Sequence, residues 1–289
     1  MTLIGILIAL LLERLLGQLP GWGRPVFYLG YVRGMMRLLP WLPLWRSPLA
    51  PLLLVAPPLL LLAWIQGLMV HPLAELAWSS LVLLLCLGPR DLSEDVHRLL
   101  AARERGDTET ATQLALALQR GPQPDATHRS LLGALFIQSH ERLFSVLLWF
   151  FALGPLGAVL YRFVSRLPRI LHEEVPGSPA ERLTDLVHST LAWIPARVTA
   201  LIYGLAGSLD DAMGQWRRLL REPQHGWRSH TWAVLAEVPA ASLRTEEPDG
   251  SVIVPASLEA SLNEVLRMQW RALVILVAFF AFFATGSMF

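Results

Sequence analysis

Apolar residues in this chain gather into long uninterrupted runs, with few of the polar alternations that mark a water-exposed face. The runs are Leu3–Leu16, Leu49–Met69, Leu73–Leu87, Leu143–Val164, Leu186–Gly207 and Ala272–Met288. A helix rises about 1.5 Å per residue and a bilayer core is about 30 Å thick, so about 20 residues make a crossing. The first and third runs are short and must borrow flanking residues or pack inside the bundle. The pattern predicts an all-α integral membrane protein: a polytopic helical bundle of about four to six transmembrane helices in a single membrane domain over residues 1–289. Helix breakers fall inside several runs, at Pro57 and Pro58, at Gly154-Pro155 and at Pro195. Kinks are expected there, because neighbouring helices or buried water satisfy the freed carbonyls.

Two polar segments separate the runs, at 88–140 and 208–271. In the first, Asp91-Leu-Ser-Glu94 has the spacing of a capping box. Leu92, Val96, Leu99 and Leu100 follow at helical intervals, and Gly106-Asp107 supplies a stop and a new cap. This predicts a helical hairpin whose second helix runs from Thr108 to Gln119 and ends at Gly121-Pro122. The second segment, with Pro223, Gly226, Pro239, Pro248 and Gly250, reads as loops and short elements ahead of a helix beginning near Ser257. Arg24, Arg33, Arg37 and Arg46 lie between the first two runs with no acid among them, which places that loop in the cytoplasm. Both long polar segments then face the cytoplasm. The first run lacks a basic flank and a small-residue cleavage site, and reads as a retained helix.

Composition sharpens the exclusions. Hydrophobic residues make up 54% of the chain and charged ones 16%, well below the usual quarter. Twenty-four basic residues nearly balance 23 acidic ones, so there is no basic surplus for a nucleic-acid partner. Every basic side chain is Arg. The absence of Lys removes Walker A, Schiff-base and Ser–Lys chemistry. Cys86 is the single cysteine, flanked by leucines, and reads as a buried thiol. No HExxH, GxSxG or GxGxxG occurs, so no catalytic residue, cofactor or metal site is assigned.

Ionisable groups inside apolar runs are the sharpest remaining signals, since each costs about 3 kcal/mol or more in hydrocarbon. Arg197 sits mid-run in Trp193-Ile-Pro-Ala-Arg197. Its guanidinium needs an anionic ligand, an ion pair with Glu13, Glu75 or Glu141, or a route to the surface. Glu141 reads as the opening of the fourth run, where the helix dipole alone would account for it, and Tyr161-Arg162 lie near its far end. Asp185 and His188 share a helix face with Arg182, a spacing that suits a proton relay, half a metal site or a polar boundary face. Asp210-Asp211 after Ser208 fits either a cation site or an N-cap.

Taken in order, Arg24-Pro-Val…Gly30, Arg90-Asp-Leu…His97…Gly106-Asp107, Glu141…Trp149, Gly154-Pro-Leu-Gly-Ala-Val-Leu-Tyr161-Arg162, Trp193-Ile-Pro-Ala-Arg197 and Pro223-Gln-His-Gly226-Trp227 resemble the ordered motifs of the CobD/CbiB superfamily. Within it the chain is most similar to the AmpE-type members. For the cobamide-synthesising members the resemblance implies joining of an aminopropanol arm to a corrinoid acid. Their motifs carry Glu-Asn, Asn-x-x-Asp-Ser-Met and an Asp pair with an Asn. Here Arg142 follows Glu141, Val164-Ser-Arg-Leu-Pro168 follows Tyr161-Arg162, and His188, Ser189 and Ala192 stand at the last set.

What the resemblance implies for AmpE-type members is an inner-membrane sensor or modulator linked to peptidoglycan recycling and β-lactamase induction, with the cytosolic amidase AmpD as partner. On that reading an anionic cell-wall metabolite, nucleotide or lipid head group binds near Arg197, Glu141, Arg162, Tyr161, Trp193, Asp185 and His188. The other reading is a membrane ligase or transferase related to adenosylcobinamide-phosphate synthase.

Overall fold

A computed structural model of the protein describes residues 2–16, 26–38, 47–87, 92–119, 130–221, 226–246 and 252–286. Arg24, Arg46, Arg90-Asp91, Gly121-Pro122, Pro223 to His225, Pro248 and Gly250 lie outside the described residues. The chain forms helices α1 (Thr2–Leu16), α2 (Val26–Leu38), α3 (Ala50–Gly67), α4 (Pro72–Leu87), α5 (Leu92–Glu104), α6 (Thr108–Leu118) and α7 (Leu131–Ser139). A π-helical turn (His140–Phe144) leads into α8 (Ser145–Glu174), α9 (Pro179–Ala206), α10 (Leu209–Arg221), α11 (Trp227–Ala241) and α12 (Leu258–Gly286). Thr245–Glu246 and Val252–Ile253, β1 and β2, pair as a short antiparallel ribbon before α12.

Among the described residues, four helical stretches are long and apolar enough to cross a membrane: Ala50–Gly67, one that begins with α4 at Pro72, Leu131–Glu174 and Leu258–Ala284. Their surfaces agree with a lipid setting. Leu52, Leu60 and Leu61 on α3, Leu85 on α4, and Val274, Phe282 and Phe283 on α12 are all exposed, a covering that water would not tolerate on so many neighbouring turns. The protein is an all-α polytopic membrane protein. Of the runs expected to cross, Leu3–Leu16 forms the 15-residue α1. Leu186–Gly207 falls almost wholly in the 28-residue α9, which is not among these four.

Contacts divide the chain into two interleaved units, Met1–Arg90 with Ser145–Leu191, and Asp91–Phe144 with Ala192–Phe289. In the first, α1 packs on α4, and α3 and α4 pack on α8. Val32, Leu54, Val55, Val164, Leu167 and Leu171 form its core. Tyr31 closes one side, its hydroxyl donating to the Leu54 carbonyl at 3.2 Å and its ring meeting Phe163 edge-on at 6.2 Å. Arg33 ties α2 to the end of α8 through Glu174 at 3.1 Å. The turn into α9 is latched by His172 Nδ1 against Glu181 Oε1 at 2.8 Å, while Gly177 N donates to Glu181 Oε2 at 2.6 Å.

The expected break in α8 is present. Gly154 takes φ 65° and ψ −154°, a combination that side-chain-bearing residues avoid. Pro155 has no N–H to continue the ladder, and a Cβ at Gly157 would lie 2.2 Å from the Trp149 carbonyl oxygen.

In the second unit α7 packs on α11, α10 on α11, and α12 on α7, with Ala200, Leu219, Val234 and Val238 in the core. The predicted hairpin is there: Gly106 adopts φ 72°, and the Asp107 carboxylate accepts from Thr110 N at 3.0 Å to cap α6. Those hydrogen bonds, from the Thr110 side chain and backbone, hold the Asp107 carboxyl below its ordinary value. Ser208 caps α10, accepting from Asp211 N at 3.5 Å, while Asp211 pairs with Arg244, so the acid pair serves a helix start. Ser257 Oγ accepts from Ala260 N at 3.0 Å and starts α12 where expected. Cys86 is buried.

One boundary differs from the sequence reading. From Leu131 the helix runs through the π-helical turn into α8, so Glu141 lies inside it and not at a helix N-terminus. The helix-dipole account of Glu141 therefore does not apply.

Candidate functional site

The seven residues singled out from the sequence fall into two sets, one in each unit. Tyr161, Arg162, Asp185 and His188 belong to the first. Tyr161 on α8 and His188 on α9 are both buried, their rings tilted at a centroid separation of 6.0 Å. Arg162, one residue on, points its Nη2 at the Leu87 carbonyl, 3.4 Å away at the C-terminal end of α4, where a cation is favoured by the exposed carbonyls and the helix dipole. Asp185 is half-buried one turn before His188. Beside His188, the hydroxyl of Ser189 is fully buried and makes no hydrogen bond. Polar groups here are thus held inside apolar helices, where each is costly and calls for a reason.

The second set, Glu141, Trp193 and Arg197, lies in the other unit. Arg197 finds its partner within its own helical turn. Its Nη1 donates to the Trp193 carbonyl at 2.9 Å, and its guanidinium carbon sits 3.9 Å above the Trp193 ring. That stacking is a cation–π contact worth about 0.5–2 kcal/mol, and it keeps a half-buried charge compatible with its surroundings. With Trp193 itself 42% exposed, the pair forms a surface feature of α9. Glu141 is half-buried in the π-helical turn, next to His140.

Around that turn the structure adds a polar layer the sequence reading did not single out. Ser139 Oγ lies 2.7 Å from the Tyr203 hydroxyl, and His140 Nδ1 lies 3.0 Å from Thr199 Oγ1, all four side chains being buried. Tyr203 is wedged between the rings of Phe136 and Phe144 at centroid distances of 4.8 and 5.2 Å. Arg142 donates to Asp95 at 3.3 Å and to Gln138 at 2.6 Å, and Gln138 in turn donates to the Leu118 carbonyl. Single π-helical turns inside α-helices recur at functional sites, because the extra residue re-aims side chains across the helix. Hydroxyls and neutral amides carry no charge pattern, so only the Ser139-His140 pair beside Glu141 could have flagged this layer. Among the described residues no three His, Cys, Asp or Glu side chains group closely enough to hold a metal ion.

Comparison with known proteins sets these residues in a lineage. The CobD/Cbib protein family model matches residues 6–244. The chain is 30% identical to a protein of Chromobacterium violaceum named cobalamin biosynthesis protein CobD, over 73% of this chain and 71% of that one. A protein of the same name from Stutzerimonas stutzeri is also 30% identical, over 55% of this chain and 54% of its own length. Protein AmpE of Shigella flexneri is 25% identical over 68% of this chain and 71% of the relative. No solved structure matches. With its family match running from α1 to Arg244 and carrying both sets of site residues, the chain belongs to the CobD/CbiB family.

Proposed function

We propose that the protein is a membrane ligase or transferase related to adenosylcobinamide-phosphate synthase, acting in the synthesis of a cobalamin-type product. The observation that carries this reading is the likeness to a CobD protein over 73% of the chain, alongside a family match over residues 6–244 that takes in the Trp193–Arg197 segment. The buried polar layer at the π-helical turn is the feature of the fold that serves it. Ser139, His140, Thr199 and Tyr203 supply hydrogen-bond donors and acceptors in an apolar environment, where orientation of a polar substrate is strongest. The Trp193–Arg197 pair offers a planar cation to an anionic substrate group. On this reading the protein sits in the bacterial inner membrane with both polar segments in the cytoplasm, where ATP is available.

The test is incubation of the purified protein in nanodiscs with ATP, a corrinoid acid and an amino-alcohol phosphate. Nucleotide turnover that requires both co-substrates supports the reading, and no turnover above a protein-free control removes it.

A second reading rests on a specific departure. His188, Ser189 and Ala192 replace the Asp pair and Asn of the cobamide-synthesising motif, and both His188 and Ser189 are buried. A chain without those carboxylates suits a non-enzymatic modulator of the AmpE type, coupled to peptidoglycan recycling and the amidase AmpD through the α5–α6 hairpin. A deletion strain with unchanged β-lactamase induction and an unchanged muropeptide pool excludes it.

A further inference from the structure

A cavity of about 960 Å³ lies elsewhere, entirely within the second unit. Three arginines line it, Arg244 after α11 and Arg267 and Arg271 on α12, together with Asn263 and His97. Against them stands one lining carboxylate, Glu264. It is nearly fully buried and pairs with Arg271 and, at 3.5 Å, with Arg267. Arg244 is held from behind by Asp211 and by the Leu243 carbonyl at 2.7 Å. Among the described residues the cluster keeps a surplus of positive charge even with Asp211 counted. Three guanidinium forks fixed by carboxylates and carbonyls form a preorganised receptor for a tetrahedral oxyanion.

The position of the cavity along α12 says where that oxyanion comes from. Along α12 the charged residues all lie between Leu258 and Arg271, and none occurs from Ala272 to Gly286. Trp270 and Arg271 thus stand where the polar part of the helix meets its apolar part, the level of the lipid head groups. Trp270 lines the same cavity and is 55% exposed, as an interfacial anchor is. Basic pockets at this depth attract anionic head groups.

We propose that the Arg244–Arg267–Arg271 cavity is a phosphate-ester site at the membrane surface. The shared chemistry is a phosphate oxyanion, carried either by an anionic phospholipid or by a soluble ester. The test uses full-length protein in two arms. In one, native mass spectrometry compares retention of phosphatidylglycerol and phosphatidylcholine. In the other, calorimetry titrates phenyl phosphate into protein held in phosphatidylcholine nanodiscs.

Arg267→Gln and Arg271→Gln are each expected to weaken binding about tenfold or more, from loss of charge-assisted hydrogen bonds. Arg218→Gln on α10, exposed and outside the cavity, should leave binding unchanged. Arg267 is 67% exposed and its removal leaves Glu264 paired with Arg271, so that variant folds; matching melting temperatures confirm it. Arginine-dependent binding in the lipid arm identifies a head-group site, and in the other arm a soluble ester. Binding of neither probe, or equal binding by parent and both cavity variants, overturns the proposal.

Discussion

Ser139 and Tyr203 share a hydrogen bond of 2.7 Å, buried between aromatic rings where α7 gives way to the π-helical turn. Removing either hydroxyl leaves the other facing an apolar wall. Tyr203→Phe is expected to cost about 1–3 kcal/mol, and the double variant with Ser139→Ala less than the sum of the two singles. Chemical or detergent unfolding of the four proteins gives the coupling directly. Strict additivity would show that the two groups do not act as a pair.

A different magnitude applies at Gly157, whose Cβ would lie 2.2 Å from the Trp149 carbonyl oxygen. That neighbour is backbone and has no rotamer to yield. Gly157→Ala should destabilise by about 3 kcal/mol or more, whereas Gly154→Ala, with open space but a backbone conformation essentially reserved for glycine, should cost about 1–3 kcal/mol. Melting temperatures in one detergent, ranking Gly157→Ala below Gly154→Ala, check this order.

Two arginine pairs in the second unit test how burial scales an ion pair. Arg142, with Asp95 and Gln138, is partly sheltered, while the Glu94–Arg98 pair on α5 is about half exposed. Arg98→Ala should cost no more than about 0.5 kcal/mol, and added salt should erase the difference. Arg142→Ala should cost more and be far less sensitive to salt, because it strands Asp95. Equal, salt-sensitive losses would refute the contrast.

Asp107 supplies a prediction with a pH sign. Its carboxyl is held low in the folded state by the Thr110 hydrogen bonds, so the cap is fully formed above the ordinary carboxylate value and is lost as pH falls through the depressed one. Hydrogen exchange at the Thr110 amide should lose protection on acidification in the parent. In Asp107→Asn, which still accepts the bond, protection should stay level.

Much of this was legible in local sequence. Gly106-Asp107, Ser208 and Ser257 act on their own next turn, and Gly154-Pro155 breaks a helix by its own backbone chemistry. The limits fall where partners are distant. His140-Glu141-Arg142 reads as the charged edge of a span, yet the helix runs through it, with Thr199 against His140 and with Asp95 and Gln138 accepting from Arg142. Arg197 is the reverse case. Its position mid-run points to an anionic ligand, a distant carboxylate or the surface, and the partner is Trp193, four residues away. The arginine-lined cavity was out of reach, since Arg244 and Arg267 each stand in an unremarkable polar segment and meet only in the fold.

A step of cobalamin-type synthesis is the function proposed for this chain. Its most direct measurement is complementation: expression of the chain in a bacterium deleted for its own CobD, with cobamide quantified by mass spectrometry and membrane insertion verified. The expected result is restored cobamide, reduced by Arg197→Ala. Protein correctly inserted in the membrane with no cobamide formed would contradict the claim.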